Sequence, residues 1–214
     1  MTTGRILKPR KTIFNANGQT TANFTAATTD IITSATHGLS DNDVVVLTTT
    51  DTLPAGLSTS TRYYVTSATT NTFKLTTSIN GDVVDITDTG TGTHTWTEAA
   101  SGEVINVASY RHVGISAATA SSGNMTFKCV GSRMATAPNF EAAQSVTNHY
   151  TFIEMIDNDN GDSIAGSTGE ADAAGSDIYR DYAVNVDLFN WITLKITAQS
   201  AGTLTAWASC TDNN

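Results

Sequence analysis

The sequence predicts an all-β protein: a small β-roll or barrel module followed by an antiparallel β-sandwich or jelly roll. Three observations predict it. No long stretch places apolar residues at the i, i+3, i+4 spacing that an amphipathic helix needs. Short alternating runs dominate instead, separated by Gly, Asn, Asp and Ser. Thr supplies about a third of the positions between Thr20 and Thr97, far above its ordinary share. A β-branched side chain carrying a hydroxyl suits strands whose exposed faces hold no charge.

In the first half the expected strands are Asn23–Ala26, Asp30–Thr33, Val44–Thr48, Arg62–Ser67, Thr72–Thr76, Val83–Ile86 and Gly92–Thr97. Ser78-Ile79-Asn80-Gly81-Asp82 predicts a hairpin, because Asn-Gly accepts positive φ at both central positions of a type I′ turn. Leu53-Pro54-Ala55-Gly56 reads as a turn in which Pro presets φ and Gly relieves it. Around Ala99-Ala100-Ser101-Gly102 the Thr density falls and the strands lengthen. The expected division is therefore a basic N-terminal arm over 1–20, a Thr-rich β-module over 21–100 and an antiparallel sandwich over 101–214.

The second half offers strands at Val104–Val107, His112–Ser116, Asn124–Gly131, Tyr150–Ile156, Asp181–Val186, Trp191–Ala198 and Thr203–Cys210. Every second residue is apolar in Met125-Phe127-Cys129 and in Ile192-Leu194-Ile196, a half-buried strand pattern that suits a sandwich or jelly roll. The expected core is Phe127, Phe152, Val184, Val186, Ile192, Leu194, Ile196 and Leu204. Trp207 falls on the face opposite Leu204 and Ala206, where it is either exposed or covered by another subunit. The span Asp157–Asp177 reads as one long acidic loop of small residues, and loops of that length are functional or mobile.

Charge is unevenly spread. Arg5, Lys8, Arg10 and Lys11 are four of the eleven basic residues, and from Thr12 onward seven basic residues face twenty acidic ones. A body so acidic repels nucleic acid, whose phosphates need clustered cations. The basic segment is either a solvated terminus or an arm that docks on an acidic protein surface, which makes Arg5, Lys8, Arg10 and Lys11, with Trp207, the candidate partner-binding residues.

Reactive chemistry is sparse. Asp157-Asn158-Asp159-Asn160-Gly161-Asp162-Ser163 could converge oxygen ligands on Ca²⁺, with Asp157, Asp159 and Asp162 as weak metal candidates. The twelfth position of such a loop is Thr168 rather than a bidentate acid, and Glu170 is out of register, so a plain Asx-rich turn is the competing reading. No cofactor is expected. His37, His94, His112 and His149 have no sequence-local partners, and His37 and His94 read as turn-packing residues. Glu103, Glu141, Glu154, Glu170, Asp177 and Asp181 would form a glycan-cleaving acid pair only by spatial accident, so no catalytic residue is assigned. The aromatics either form a sugar-stacking platform or pack. Cys129 and Cys210 match no metal spacing and lie in apolar runs; buried thiols are expected, with a cross-strand disulfide the alternative. No charged-then-apolar leader and no apolar run of spanning length is present, so neither a signal peptide nor a transmembrane helix is expected.

Ile32-Thr33-Ser34-Ala35-Thr36-His37-Gly38-Leu39 and Thr89-Gly90-Thr91-Gly92-Thr93-His94-Thr95-Trp96, with the Pro54 turn and Tyr63-Tyr64-Val65 between them, resemble a small β-module of tailed-phage virion proteins, notably tail fibres and accessory proteins. The module is labelled in some families after a domain of ubiquitin-activating enzymes, but no adenylation motif or catalytic cysteine context accompanies it here. Asn185-Val186-Asp187-Leu188-Phe189-Asn190-Trp191 with the terminal strand looks more loosely like phage head or neck accessory domains. The resemblance implies a non-enzymatic virion structural protein, assembled in the host cytoplasm and released by lysis. Its expected role is capsid decoration or cement, as a homotrimer bound to the major capsid protein, with no nucleic acid or membrane partner. The alternative is a tail, neck or spike protein that binds a host receptor or glycan.

Overall fold

A computed structural model of the chain describes residues 11–16, 20–59, 61–172 and 177–211. Among these residues every regular element is a strand, so the all-β class holds. The chain forms two compact units, Gln19–Ala99 and Met1–Gly18 with Ala100–Asn214. Within the segment read as an arm, Lys11–Ala16 is itself a strand, β1, and belongs to the second unit.

The first unit is a closed barrel of β2 (Thr21–Ala26), β3 (Ile32–Thr33), β4 (Val44–Thr49), β5 (Arg62–Thr66), β6 (Thr72–Thr76) and β7 (His94–Glu98), in the order β2-β3-β6-β5-β4-β7. Closure removes the exposed edges that a Thr-rich sheet would otherwise present. Alternation drives Phe24, Val45, Leu47, Tyr63, Val65, Phe73, Leu75 and Trp96 into one core. The Trp96 indole N–H needs a buried acceptor, and it donates to Ser34 Oγ at 2.9 Å, while the Ser34 hydroxyl donates to the Asn23 carbonyl at 2.8 Å.

Two local expectations are corrected. Val83–Ile86 is not a strand: Val83 makes only an isolated bridge with Thr76. Its neighbours' amides go to three different places, Val84 to the Leu75 carbonyl, Ile86 to Asp30 Oδ1 and Thr87 to the Ala55 carbonyl. The Asn-Gly turn has positive φ at Asn80 alone, with the Gly81 N–H donating to the Ser78 carbonyl. That is the pattern of a type II turn with Asn third, not type I′. The turn after Pro54 forms as expected: Leu57 N–H donates to the Pro54 carbonyl and Gly56 has φ 100°.

The second unit comprises β1, β8 (Ile105–Asn106), β9 (His112–Ser132), β10 (Thr151–Ile153), β11 (Met155–Asp157), β12 (Ser163–Ile164), β13 (Glu170–Asp172), β14 (Tyr179–Asn185) and β15 (Trp191–Thr211). Its main path is β1-β15-β9-β14-β11-β12, with β10 and β13 also on β9 and β8 on β15. Four of the expected strands merge in pairs, so β9 and β15 each run 21 residues and pair antiparallel. The joins read as loops in sequence because 117–123 and 199–203 hold only small or polar residues. The ladder survives them with register shifts at Ile196/Ala198, Gln199/Ala201 and Ala201/Thr203. Gly202 takes φ 85° there, and its carbonyl accepts from Gln199 Nε2 at 2.8 Å.

These bulges let the ribbon fold over on itself, as strands that turn a sandwich corner do. Tyr182 on β14 pairs with Ile115, yet its ring lies 6.0 Å from that of Phe127, twelve residues further along the same strand. A straight strand would separate those two positions by roughly 40 Å. The two halves of the ribbon thus face one another across a single core of Val113, Ile115, Met125, Phe127, Val184, Val186, Ile192, Leu194, Ile196 and Leu204.

Of the expected core only Phe152 is displaced: it is 37% exposed, with Lys128 Nζ 4.8 Å from its ring centre. The supposed loop Asp157–Asp177 is also corrected over its described part. It holds a β11–β12 hairpin and β13, which pairs with β9 from Phe127 to Met125. Residues 173–176 lie outside the described residues.

Candidate functional site

Of the five candidate partner-binding residues, Arg5, Lys8 and Arg10 lie outside the described residues. Lys11 opens β1, where it pairs with Ala208, and Thr12 pairs with Trp207. The fold therefore brings the end of the basic segment beside the one aromatic singled out in sequence. Trp207 is half-buried on the face opposite Leu204, Ala206 and Ala208. In register it continues into Ser116 and then Asp181, so Thr12, Trp207, Ser116 and Asp181 form one row across four strands. β1 ends the strand order, and no described strand pairs with its outer edge. An open edge is a template for a further strand.

The acidic turn is built by its own backbone. Asp157 N–H donates to the Asp162 carbonyl, Gly161 N–H to the Asp157 carbonyl, and Gly161 takes φ 80°. Asp159 N–H donates to Asp157 Oδ1 at 2.9 Å, and Asp162 N–H to Asn160 Oδ1 at 2.9 Å. These are Asx turns, in which short polar side chains mimic backbone turns. The Asp157 carboxylate is buried and taken by Arg180, whose Nη1 is 2.6 Å from Oδ2. No group of three or more acids, histidines or cysteines among the described residues has metal-holding geometry.

Arg180 also lies 3.9 Å from Glu170 Oε1, so one guanidinium links β11, β13 and β14. Asp157 is buried beside it and Glu170 is largely so, and Asp172, two residues on from Glu170, is also buried. Burial pushes the Glu170 carboxyl above its usual range against the pull of Arg180, and Asp157 and Asp172 add to the rise. Arg180 is held above its ordinary value mainly by its bond to Asp157. Tyr182, two residues on and on the same inner face, has a buried hydroxyl with no hydrogen-bond partner. Burial first, then Glu170, raises it well above the usual tyrosine range. Sequence reasoning missed this cluster. Its signal was there in Glu170-x-Asp172 and Arg180-x-Tyr182, which at strand spacing place each pair on one face.

Two of the four histidines and two of the acids are held in defined contacts. His37 Nδ1 accepts from Leu39 N–H at 3.0 Å, and the ring meets Phe73 edge-on at 5.0 Å. His94 contacts Thr49 Oγ1 through Nδ1 and the Thr89 carbonyl through Nε2, and packs on Phe24. Both are turn-packing residues. Glu141 accepts from the Ala100 and Ser101 amides, and Glu154 bonds the Ser163 hydroxyl. In the barrel, burial raises both Glu98 and Asp43, opposed by amides of Thr20 and Ser40 respectively. The aromatics divide among separate cores: Tyr63 and Trp96 in the barrel, Tyr182 in the sandwich, and Tyr150 and Trp191 around Val130 and Phe140. Cys129 and Cys210 are buried thiols, and burial pushes Cys129 up to about 12.

No protein-family model matches the chain, and no curated protein matches it in sequence. Two solved structures are similar to it. One is the SPBc2 prophage-derived protein YomS, at 7% identity over 52% of this chain and 80% of that one, with a TM-score of 0.38. The other is the PBSX exported protein XepA, at 9% identity over 95% of this chain and 86% of that one, also with a TM-score of 0.38.

Proposed function

We propose that the chain is a non-enzymatic structural protein of a bacteriophage virion that decorates the capsid, binding the major coat protein lattice through its basic N-terminal segment. The Thr12–Trp207 pairing carries this reading, because it sets the root of a cationic segment, on the end strand β1, beside a half-buried Trp one strand further in. Cations and a Trp together suit a surface that docks on an acidic protein, the charge steering encounter and the aromatic anchoring it. The outer edge of β1 suits self-association, with a closed trimer covering what a monomer leaves open. Repeated weak contacts over a lattice then hold by avidity.

A tail, neck or spike role in host attachment is the second reading. Tyr179, 64% exposed on β14 and on the same outward face as the exposed Asp181, is the observation that favours it, since an exposed ring on a carboxylate-bearing face suits a glycan. Copy number separates the two. Quantitative mass spectrometry of purified particles is expected to find this chain at a number comparable to the coat protein. A handful of copies per particle would instead assign it to the neck, tail or spike. Deleting residues 1–10 is expected to abolish docking on undecorated capsids with circular dichroism unchanged; undiminished docking would remove the basic segment from the mechanism.

A further inference from the structure

Two of the seven basic residues from Thr12 onward, Lys128 on β9 and Lys195 on β15, stand directly opposite one another in the antiparallel ladder. Each alternates with buried neighbours, Phe127 and Cys129 on one strand and Leu194 and Ile196 on the other. Both side chains therefore leave the sheet on the face away from that core. Like charges so placed repel, where opposite charges would stabilise the pair. Neither lysine is ion-paired among the described residues. Glu141, next in sequence to Phe140, turns its carboxylate onto the Ala100 and Ser101 amides instead.

Both ammonium groups are nonetheless held. Lys128 donates to the Ser167 carbonyl and lies 4.8 Å from the ring centre of the part-exposed Phe152. Its stem passes against Gly169, where an added Cβ would come within 2.5 Å of Lys128 Cγ. Lys195 donates to the Phe140 carbonyl and lies 5.5 Å from the Tyr150 ring centre. A carbonyl takes one of an ammonium's three donors. Two cations thus sit fixed on one face with donors to spare, in a body where acids outnumber bases twenty to seven.

The complement lies on the same unit. The β11–β12 turn is exposed from Asn158 to Asp162 and shaped by its own Asx bonds, with Asp157 tied back to Arg180. Among the described residues the Asp159 carboxylate has no hydrogen bond or ion pair, and that of Asp162 accepts from Asn160 alone. A preset acidic turn and a preset pair of cations meet without the entropy cost of ordering either.

We propose that Lys128 and Lys195 of one copy receive the Asp159–Asp162 turn of a second copy in a head-to-tail contact. The proposal rests on the self-association read above and gives it a charged contact separate from the β1 edge. A heterologous contact of this kind joins two different patches, and it builds a ring where its rotation closes.

The test is sedimentation velocity of the full chain, with circular dichroism to confirm folding. Lys128→Glu with Lys195→Glu, and separately Asp159→Lys with Asp162→Lys, are each expected to weaken self-association by at least about tenfold, because like charges then face each other. Lys128→Gln with Lys195→Gln keeps the stems, removes only the charge, and is expected to shift association the same way. An equimolar mixture of the two charge-reversed proteins is expected to restore association, since each complements the other. A monomeric parent, or association that neither reversal changes, would overturn the proposal; in the second case self-association through the β1 edge still stands. Lysine reversal that abolishes docking on undecorated capsids but leaves association intact overturns it too, and assigns the cations to an acidic coat surface.

Discussion

The guanidinium of Arg180 stands 2.6 Å from the buried carboxylate of Asp157, and this pairing decides what the acidic turn can do. With Oδ2 taken by Arg180 and Oδ1 accepting the Asp159 amide, both Asp157 oxygens are occupied. A hard cation needs several such oxygens unclaimed and converging. A chelator is therefore expected to leave the melting temperature unchanged, and differential scanning calorimetry checks it. A large drop would make the turn a metal site.

Replacing Arg180 by Met is expected to strand the Asp157 charge. Breaking a buried pair costs about 3–5 kcal/mol, but the Arg180 side chain is 38% exposed, which screens the interaction and brings the expected loss to about 2 kcal/mol. Arg180→Lys keeps the charge and is expected to lose less, although it cannot reproduce the planar fork. Urea midpoints of the second unit separate the three proteins.

The barrel makes a sharper demand at Gly56. Its φ is 100°, and a Cβ there would lie 2.1 Å from the Asp85 carbonyl oxygen, a backbone atom that cannot swing away. Gly56→Ala combines a disfavoured conformation with a backbone collision. It is expected to destabilise the barrel by more than ~2 kcal/mol. Urea unfolding followed through Trp96, buried in the barrel core, reads the loss.

Ser34 links two parts of the same barrel by accepting from the Trp96 indole and donating to the Asn23 carbonyl. Ser34→Ala leaves the buried indole N–H unpaired, at an expected cost of about 1–3 kcal/mol. Ser34→Thr keeps the hydroxyl and is expected to recover part of it. Near-ultraviolet circular dichroism of Trp96 reports whether the ring keeps its seat.

Cys129 is fully buried and its thiol is pushed up to about 12, so at pH 8 it holds almost no thiolate. The thiolate is the nucleophile. Native protein is expected to resist iodoacetamide at Cys129 and to react promptly in guanidinium chloride, with mass spectrometry counting the adducts. Fast native labelling would show that the β9–β15 ribbon opens.

The sequence by itself determined the strand class and most of the core of the second unit. Those follow from alternation, and alternation is a local property. Val45, Leu47, Phe73, Leu75, Phe127, Ile192 and Leu194 had to share a face with their second neighbours whatever the topology. Phe152 escaped because its short strand β10 pairs with β9 over only three residues, Gly131, Val130 and Cys129, where little covers that ring. Only the tertiary structure could decide that 117–123 and 199–203 continue strands. Small residues there carry no periodic signal, and the pairing of two long strands holds them. The same holds for the Arg180 cluster, whose members are separated by up to 23 residues in sequence. They meet because the bulged ribbon folds back and sets β13 and β14 face to face. Charge attraction between distant side chains leaves no periodicity in the chain; it appears only once packing has fixed where each strand lies.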